Sequence, residues 1–110
     1  MCLFCKIVDG DIPSKKIYED DEFLCFEDIN RLSKIHILII PKKHIESFED
    51  ILPQTMANMT KTIQTITKKL DINKSGYRLI TNIAKDGGQE VKHLHFHLLS
   101  GEKLGAMYKK

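Results

Sequence analysis

Between residues 93 and 99 the chain reads HLHFHLL, and no other stretch restricts the fold as tightly. A strict period of two marks a β-strand, whose successive side chains point to opposite faces. Leu94, Phe96 and Leu98 then face a core, while His93, His95 and His97 line the other face, with neighbours roughly 6.5–7 Å apart. Three of the chain's five histidines fall in these five positions. A solvent-facing strand would more naturally carry Lys, Glu or Thr. The row therefore reads as a polar face, a metal site or a catalytic array. Neutral imidazole is both nucleophile and metal ligand, and its ordinary pKa of ~6.5 lets it exchange protons near neutrality. A three-histidine metal centre needs nitrogens that converge on one ion. Alternate positions on a flat strand spread them along a line instead. One histidine on a metal, with the others free for chemistry, fits that geometry better.

The chain around this strand is ordinary for a folded domain. Its 110 residues suit one domain spanning 1–110, with 42% hydrophobic and 29% charged residues. Seventeen basic and 15 acidic residues leave a net charge of +2, too balanced to argue for nucleic acid or an anionic membrane. The longest apolar run, Ile37 to Ile40, is far short of a membrane span. The opening "MCLFCKIVDGD" shows no secretory pattern. Three cysteines, an odd count, form no framework of disulfides. A reducing cytoplasm is expected, and there Cys2 and Cys5 in "CLFC" read as a metal or thiol motif.

The pattern predicts an α+β fold of about five strands, mostly antiparallel, with one long helix over one face. "DGDIPS" (9–14) is turn chemistry. "KIYED" (16–20) and "EFLCFED" (22–28) predict a hairpin turning at Asp20-Asp21. "KIHILII" (34–40) predicts a buried strand that Pro41 ends. Met56, Met59, Ile63, Ile66 and Leu70 recur at steps of three and four and predict a helix. Pro53 suits its first turn, and Lys68 and Lys69 suit its carbonyl end. "YRLITN" (77–82) is a further strand before the histidine strand. Cys25 has no partner spacing and is assigned to the core.

Other residues are ambiguous alone. Gly87 and Gly88 would let backbone N–H groups approach an anion, but a Gly-Gly pair also makes a plain turn. Asn82 is either a turn residue or a donor to a substrate oxygen. His36 alone reads as a core histidine, and His44 as a surface one.

Together these segments resemble the histidine-triad family. "HLHFHLL" matches its pattern of three histidines alternating with apolar residues. "CLFCKIVDGDIPSKKIYEDDEFLCFEDI", "HILIIPKKHI", "GYRLITN" and "DGGQEVKHLHFHLL" are similar to successive signatures of its Hint branch, from Cys2 to Gly101. The resemblance implies a HIT-like fold with a short N-terminal helix, and a homodimer. It implies hydrolysis or transfer at the α-phosphate of purine nucleoside monophosphate derivatives, often phosphoramidates. His95 would be the nucleophile, flanked by His93 and His97 and backed by His36. Leu3, Phe4, Ile7, Phe26, Asp28 and Ile29 would form the base and ribose pocket, with Asp28 on the ribose. Asn82, Gly88, Gln89, Glu90 and Val91 would lie along the phosphate side. A backbone carbonyl near His93 would hold one nitrogen of His95, while backbone N–H groups and a flanking imidazolium steady the phosphoryl oxygens. The resemblance also implies a structural Zn²⁺ on Cys2, Cys5, His44 and His93, which would orient His93 and leave His95 free.

Two departures stand out. Glu90 occupies a position where the Hint pattern usually has Ser or Thr, and a carboxylate repels phosphate and donates no hydrogen bond unless protonated. It either swings away or meets a cationic amine leaving group. The ending "GEKLGAMYKK" lacks the Trp-Pro tail of animal Hint proteins, so tail-dependent substrate selection is not carried over. Competing expectations are a nucleotide-binding module whose chemistry has decayed, a dinucleoside polyphosphate hydrolase, and a zinc-storage or redox protein built on "CLFC".

Overall fold

The structure, a computed structural model, describes residues 1–108; the last two positions of the expected domain lie outside them. Five strands form one antiparallel sheet: β1 (Lys16–Glu19), β2 (Phe23–Glu27), β3 (Ile35–Pro41), β4 (Arg78–Ile80) and β5 (Phe96–Ser100), in the order β1-β2-β3-β5-β4. Helix α1 is Leu3–Val8 and helix α2 is Pro53–Lys69. The expected α+β architecture, with one long helix and a short N-terminal one, is the architecture found.

The period of two divides the core between the two faces of the sheet. Phe23 and Cys25 on β2, Ile37 and Ile39 on β3, and Phe96 and Leu98 on β5 pack with Met59, Ile63 and Ile66 of α2. The residues between them, Leu24 and Phe26 on β2 and Leu38 and Ile40 on β3, pack with Phe4 and Ile7 of α1. On the long helix, Met56 and Leu70 are only partly buried. Two residues outside the apolar pattern, Thr62 and Thr67, are buried beside them. Thr62 earns its place by donating to the Asp20 carboxylate at 2.7 Å, which ties α2 to the β1–β2 turn. The other Asp20 oxygen accepts the N–H groups of Glu22 and Phe23, closing the hairpin where the two aspartates predict it.

Strand ends depart from the period. The histidine strand begins at Phe96, not His93, because Leu94 N–H bonds the Ile45 carbonyl at 2.6 Å and the Thr81 hydroxyl bonds the His95 carbonyl at 2.8 Å. Those bonds take the backbone out of the ladder. β4 shrinks for the same reason and stops at Ile80. Pro41 is the last residue of β3 and lies opposite Phe23, and its carbonyl remains free to accept from a side chain.

Candidate active site

His36 and His97 face the α1 side of the sheet from β3 and β5. The register places Leu38 opposite His97 and Leu99 opposite His36. His95 lies one step before β5, on the same side, with its ring edge-on to Phe4 at 5.0 Å between centroids. A cavity of about 450 Å³ opens there. His36, His95 and His97 line it, with Asp28, Asn30 and Leu32 from the β2–β3 connection and Asn82, Gly88, Glu90 and Val91 from the loops before β5. Phe4, Leu38, Ile80 and Leu99 supply its apolar wall.

Hydrogen bonds assign the ring tautomers of His36, His93, His95 and His97. His95 Nδ1–H donates to the His93 carbonyl at 2.8 Å, which leaves Nε2 bare. That Nε2 has no protein partner among the described residues, and no buried side-chain nitrogen or oxygen goes unpaired, so Nε2 is open to the cavity. Leu32 N–H donates to His36 Nδ1 at 3.1 Å, so the His36 proton sits on Nε2. From there it is donated to His97 Nδ1 at 2.9 Å, with Asp28 Oδ2 flanking at 3.4 Å. His97 therefore carries its own proton on Nε2. Asp28, His36 and His97 also group closely enough to suggest a cation site. A metal on His36 Nε2 would have to displace its proton while Nδ1 is already occupied, so the set reads as a hydrogen-bond chain.

Burial pushes the His97 pKa down to about 4, aided by the neighbouring His95 and His36 rings and opposed by Asp28. Burial also lowers His36 against the pull of Asp28. The flanking imidazolium expected from the sequence is thus a neutral N–H donor at neutral pH. Because the folded pKa lies below the unfolded value of about 6.5, the unfolded chain binds this proton first. The stability that goes with a neutral His97 is intact above about pH 6.5 and drains away as pH falls toward about 4. An NMR titration of the His97 ring is expected to show a midpoint near 4. A midpoint near the free-imidazole value would contradict this arrangement.

His93, fully buried, turns the opposite way. Its Nε2–H donates to the Pro41 carbonyl at 2.8 Å, leaving Nδ1 as the bare nitrogen. That nitrogen lies 3.2 Å from Cys2 Sγ and 3.6 Å from Cys5 Sγ. His44 Nδ1 completes the set at 3.5 and 3.4 Å from the two sulfurs. Zinc bonds of about 2.3 Å to sulfur and about 2.0–2.1 Å to nitrogen place S and N about 3.6 Å apart in a tetrahedron. The four S···N distances lie close to that value; the sulfurs, 3.2 Å apart, would part by about half an ångström. The donor set and the bare, inward-turned His93 nitrogen fit a tetrahedral cation. Burial and the neighbouring Cys2 thiol raise the Cys5 pKa, and a bound cation would reverse this. Cys25, by contrast, is sealed in the core, and its thiol is pushed up to about 12 by burial and then by Asp20.

Several expected pocket residues stand elsewhere. Leu3 is 47% and Ile29 95% exposed. Ile7 and Phe26 are buried in the α1-side core, and Phe26 meets Phe4 edge-on behind the cavity. Gln89 braces its loop: its amide donates to the Glu46 and Val91 carbonyls and accepts from Ala84 N–H. Gly87 is needed for the same loop, since a Cβ there would collide with the Ile83 carbonyl oxygen. Conversely, Asn30, Leu32, Leu38, Ile80 and Leu99 were not anticipated. Counting by two from His36 and His97 would have found Leu38 and Leu99. Nothing local marks the other three.

The family model for the HIT domain matches residues 9–104. The chain belongs to the HIT family. A HIT-like protein of Helicobacter pylori is 52% identical over 103 residues, covering 94% of this chain and 99% of that protein. Among solved structures, a histidine triad protein from Clostridium difficile superposes with a TM-score of 0.90 at 46% identity, covering 97% of this HIT protein and 96% of that chain. A HIT family hydrolase from Clostridium thermocellum gives a TM-score of 0.89 at 41% identity, covering 96% and 94%.

Proposed function

We propose that this HIT protein is a Hint-like nucleotide hydrolase or transferase. It acts on purine nucleoside monophosphate derivatives, phosphoramidates foremost, through a nucleotidyl group carried on His95. The observation that supports this reading is the bare Nε2 of His95 opening on the cavity while its Nδ1–H is held by the His93 carbonyl. A ring held in that tautomer presents its lone pair without waiting for proton loss. The hydrolase relative from Clostridium thermocellum supports the same class.

In the first half of the reaction, His95 Nε2 bonds phosphorus and the P–N bond breaks. The departing amine takes up one proton from solvent. The resulting N-phosphoryl imidazolium keeps its Nδ1–H on the His93 carbonyl, which stabilises the positive ring. In the second half, water attacks phosphorus, the Nε2–P bond breaks, and one proton returns to solvent. His97 Nε2–H donates to the phosphoryl oxygens or the leaving atom, and the His36–Asp28 chain behind it keeps that hydrogen outward. Asp28 and the apolar wall at Phe4, Leu38 and Leu99 would take the ribose and base.

Cys2, Cys5, His44 and His93 would hold a structural Zn²⁺ that fixes α1, and with it Phe4, against His95. Within the same reading, residues 1–110 act as one HIT domain, as a homodimer, in the cytoplasm. No helix among the described residues is long and apolar enough to cross a membrane. The test is intact-mass analysis after mixing with an adenosine phosphoramidate. A transient nucleotidyl adduct mapping to His95, with release of the nucleoside monophosphate, is expected. An adduct on another residue, or binding without turnover, rejects the reading; the latter outcome favours a nucleotide-binding module.

A further inference from the structure

The cavity has an unusual charge inventory for one that takes a phosphate. Asp28 and Glu90 line it, and among the described residues no Lys or Arg does. His97 and His36, which burial holds toward the neutral form, add no compensating charge at neutral pH. The two carboxylates differ in their commitments. Asp28 Oδ1 accepts Asn30 N–H at 2.8 Å, and Oδ2 flanks His36. Glu90 takes part in none of the ion pairs found among the described residues, and its side chain is exposed.

Nor is Glu90 on a segment free to carry it away. Gln89 before it is pinned by three hydrogen bonds, and Val91 after it packs against the α1-side core. The pinned backbone therefore keeps Glu90, whose carboxylate has no ion-pair partner among the described residues, in the lining of the cavity that His95 and His97 share. A carboxylate held there repels anions and attracts cations over the few ångströms that separate groups in one site.

We propose that Glu90 selects the leaving group: the site favours nucleoside phosphoramidates whose departing amine carries a further cationic group. This rests on the phosphoramidate reading above and narrows its substrate class. Such a substrate is a zwitterion, with one negative charge on its phosphoryl group and one positive charge on its leaving arm. The cation meets Glu90 while the phosphoryl group sits at His95. After cleavage, the nucleoside monophosphate left behind carries close to two negative charges and no cation, so the same carboxylate favours its exit. Polyphosphate leaving groups, which bring several negative charges to that wall, are disfavoured.

The experiment compares kcat/KM for three adenosine phosphoramidates of matched arm length: an aminopentyl amide, a hexyl amide and a carboxypentyl amide. In the native protein the expected order is cationic, then neutral, then anionic, with about tenfold between cationic and neutral at low salt. In Glu90→Gln the cationic-to-neutral ratio is expected to fall close to one, and in Glu90→Lys the order is expected to invert. Turnover of all three with no charge preference, or a preference that survives in Glu90→Gln, overturns this proposal and leaves the phosphoramidate reading standing. No turnover of any of the three overturns both.

Discussion

Replacing His95 with Ala is expected to lower kcat/KM for an adenosine phosphoramidate on the order of 10⁴–10⁶-fold, the range seen when a covalent nucleophile is removed. The size follows from chemistry, not from lost binding. His95 Nε2 is the bare imidazole nitrogen of the cavity. Its nearest stand-in, His97, presents a hydrogen at Nε2 and accepts at Nδ1 from His36. Without His95 no lone pair faces phosphorus, and water would have to attack directly across the single harder barrier. Nucleotide affinity, measured by calorimetry with the monophosphate, is expected to change far less, because the apolar wall and Asp28 are untouched. Circular dichroism checks that the fold persists without the His95–Phe4 contact. A kcat/KM reduced only a few-fold would remove His95 from the centre of the mechanism.

The second large effect is on stability. Cys5→Ala is expected to reduce bound zinc from about one per chain to near zero by elemental analysis. It is also expected to cost about 3 kcal/mol or more, roughly a 10–20 °C fall in Tm for a chain of this size. A metal bound only by the folded state stabilises by RT ln(1 + M/Kd), with M the free metal concentration, so a strong chelator should reproduce the shift in the native protein. The physical basis is the span of the site. It joins the N-terminus to residues 42 and 91 positions away, adding to the hold that Phe4 and Ile7 give that segment. Helix α1 is only six residues long, too short to be stable alone. Its buried residues are Phe4 and Ile7, and Phe4 is also a wall of the cavity. Loss of the metal should therefore also lower turnover, by much less than loss of His95. A native protein that contains no zinc, or a Cys5→Ala variant with unchanged metal and Tm, would show that the four residues are not a metal centre.

Much of the fold was legible because its signals are local. The alternation through Phe96–Ser100, the three-and-four spacing of Met59, Ile63 and Ile66, and the Asp20-Asp21 turn each depend on a few neighbouring residues. Strand ends were less legible because they depend on distant partners. The backbone at Leu94 and His95 leaves the ladder because the Leu94 N–H bonds Ile45 and the His95 carbonyl takes the Thr81 hydroxyl. The site was legible in part. The histidines and Asp28 are rare residue types in telling positions. Leu32, by contrast, acts through its backbone N–H, which any residue except proline would supply.

The residue order by itself determined which faces of each strand are apolar, where the long helix lies, and that imidazoles stand in a row, because these follow from periods of the backbone. Only the tertiary structure decided what each imidazole does. Pro41 turns His93 toward two sulfurs, the His93 carbonyl bares His95, and Leu32 and His36 set the hydrogen of His97. Three alternating histidines are alike as a pattern. They become different chemical groups because each ring nitrogen takes its proton state from the atom packed against it, and those atoms come from remote parts of the chain.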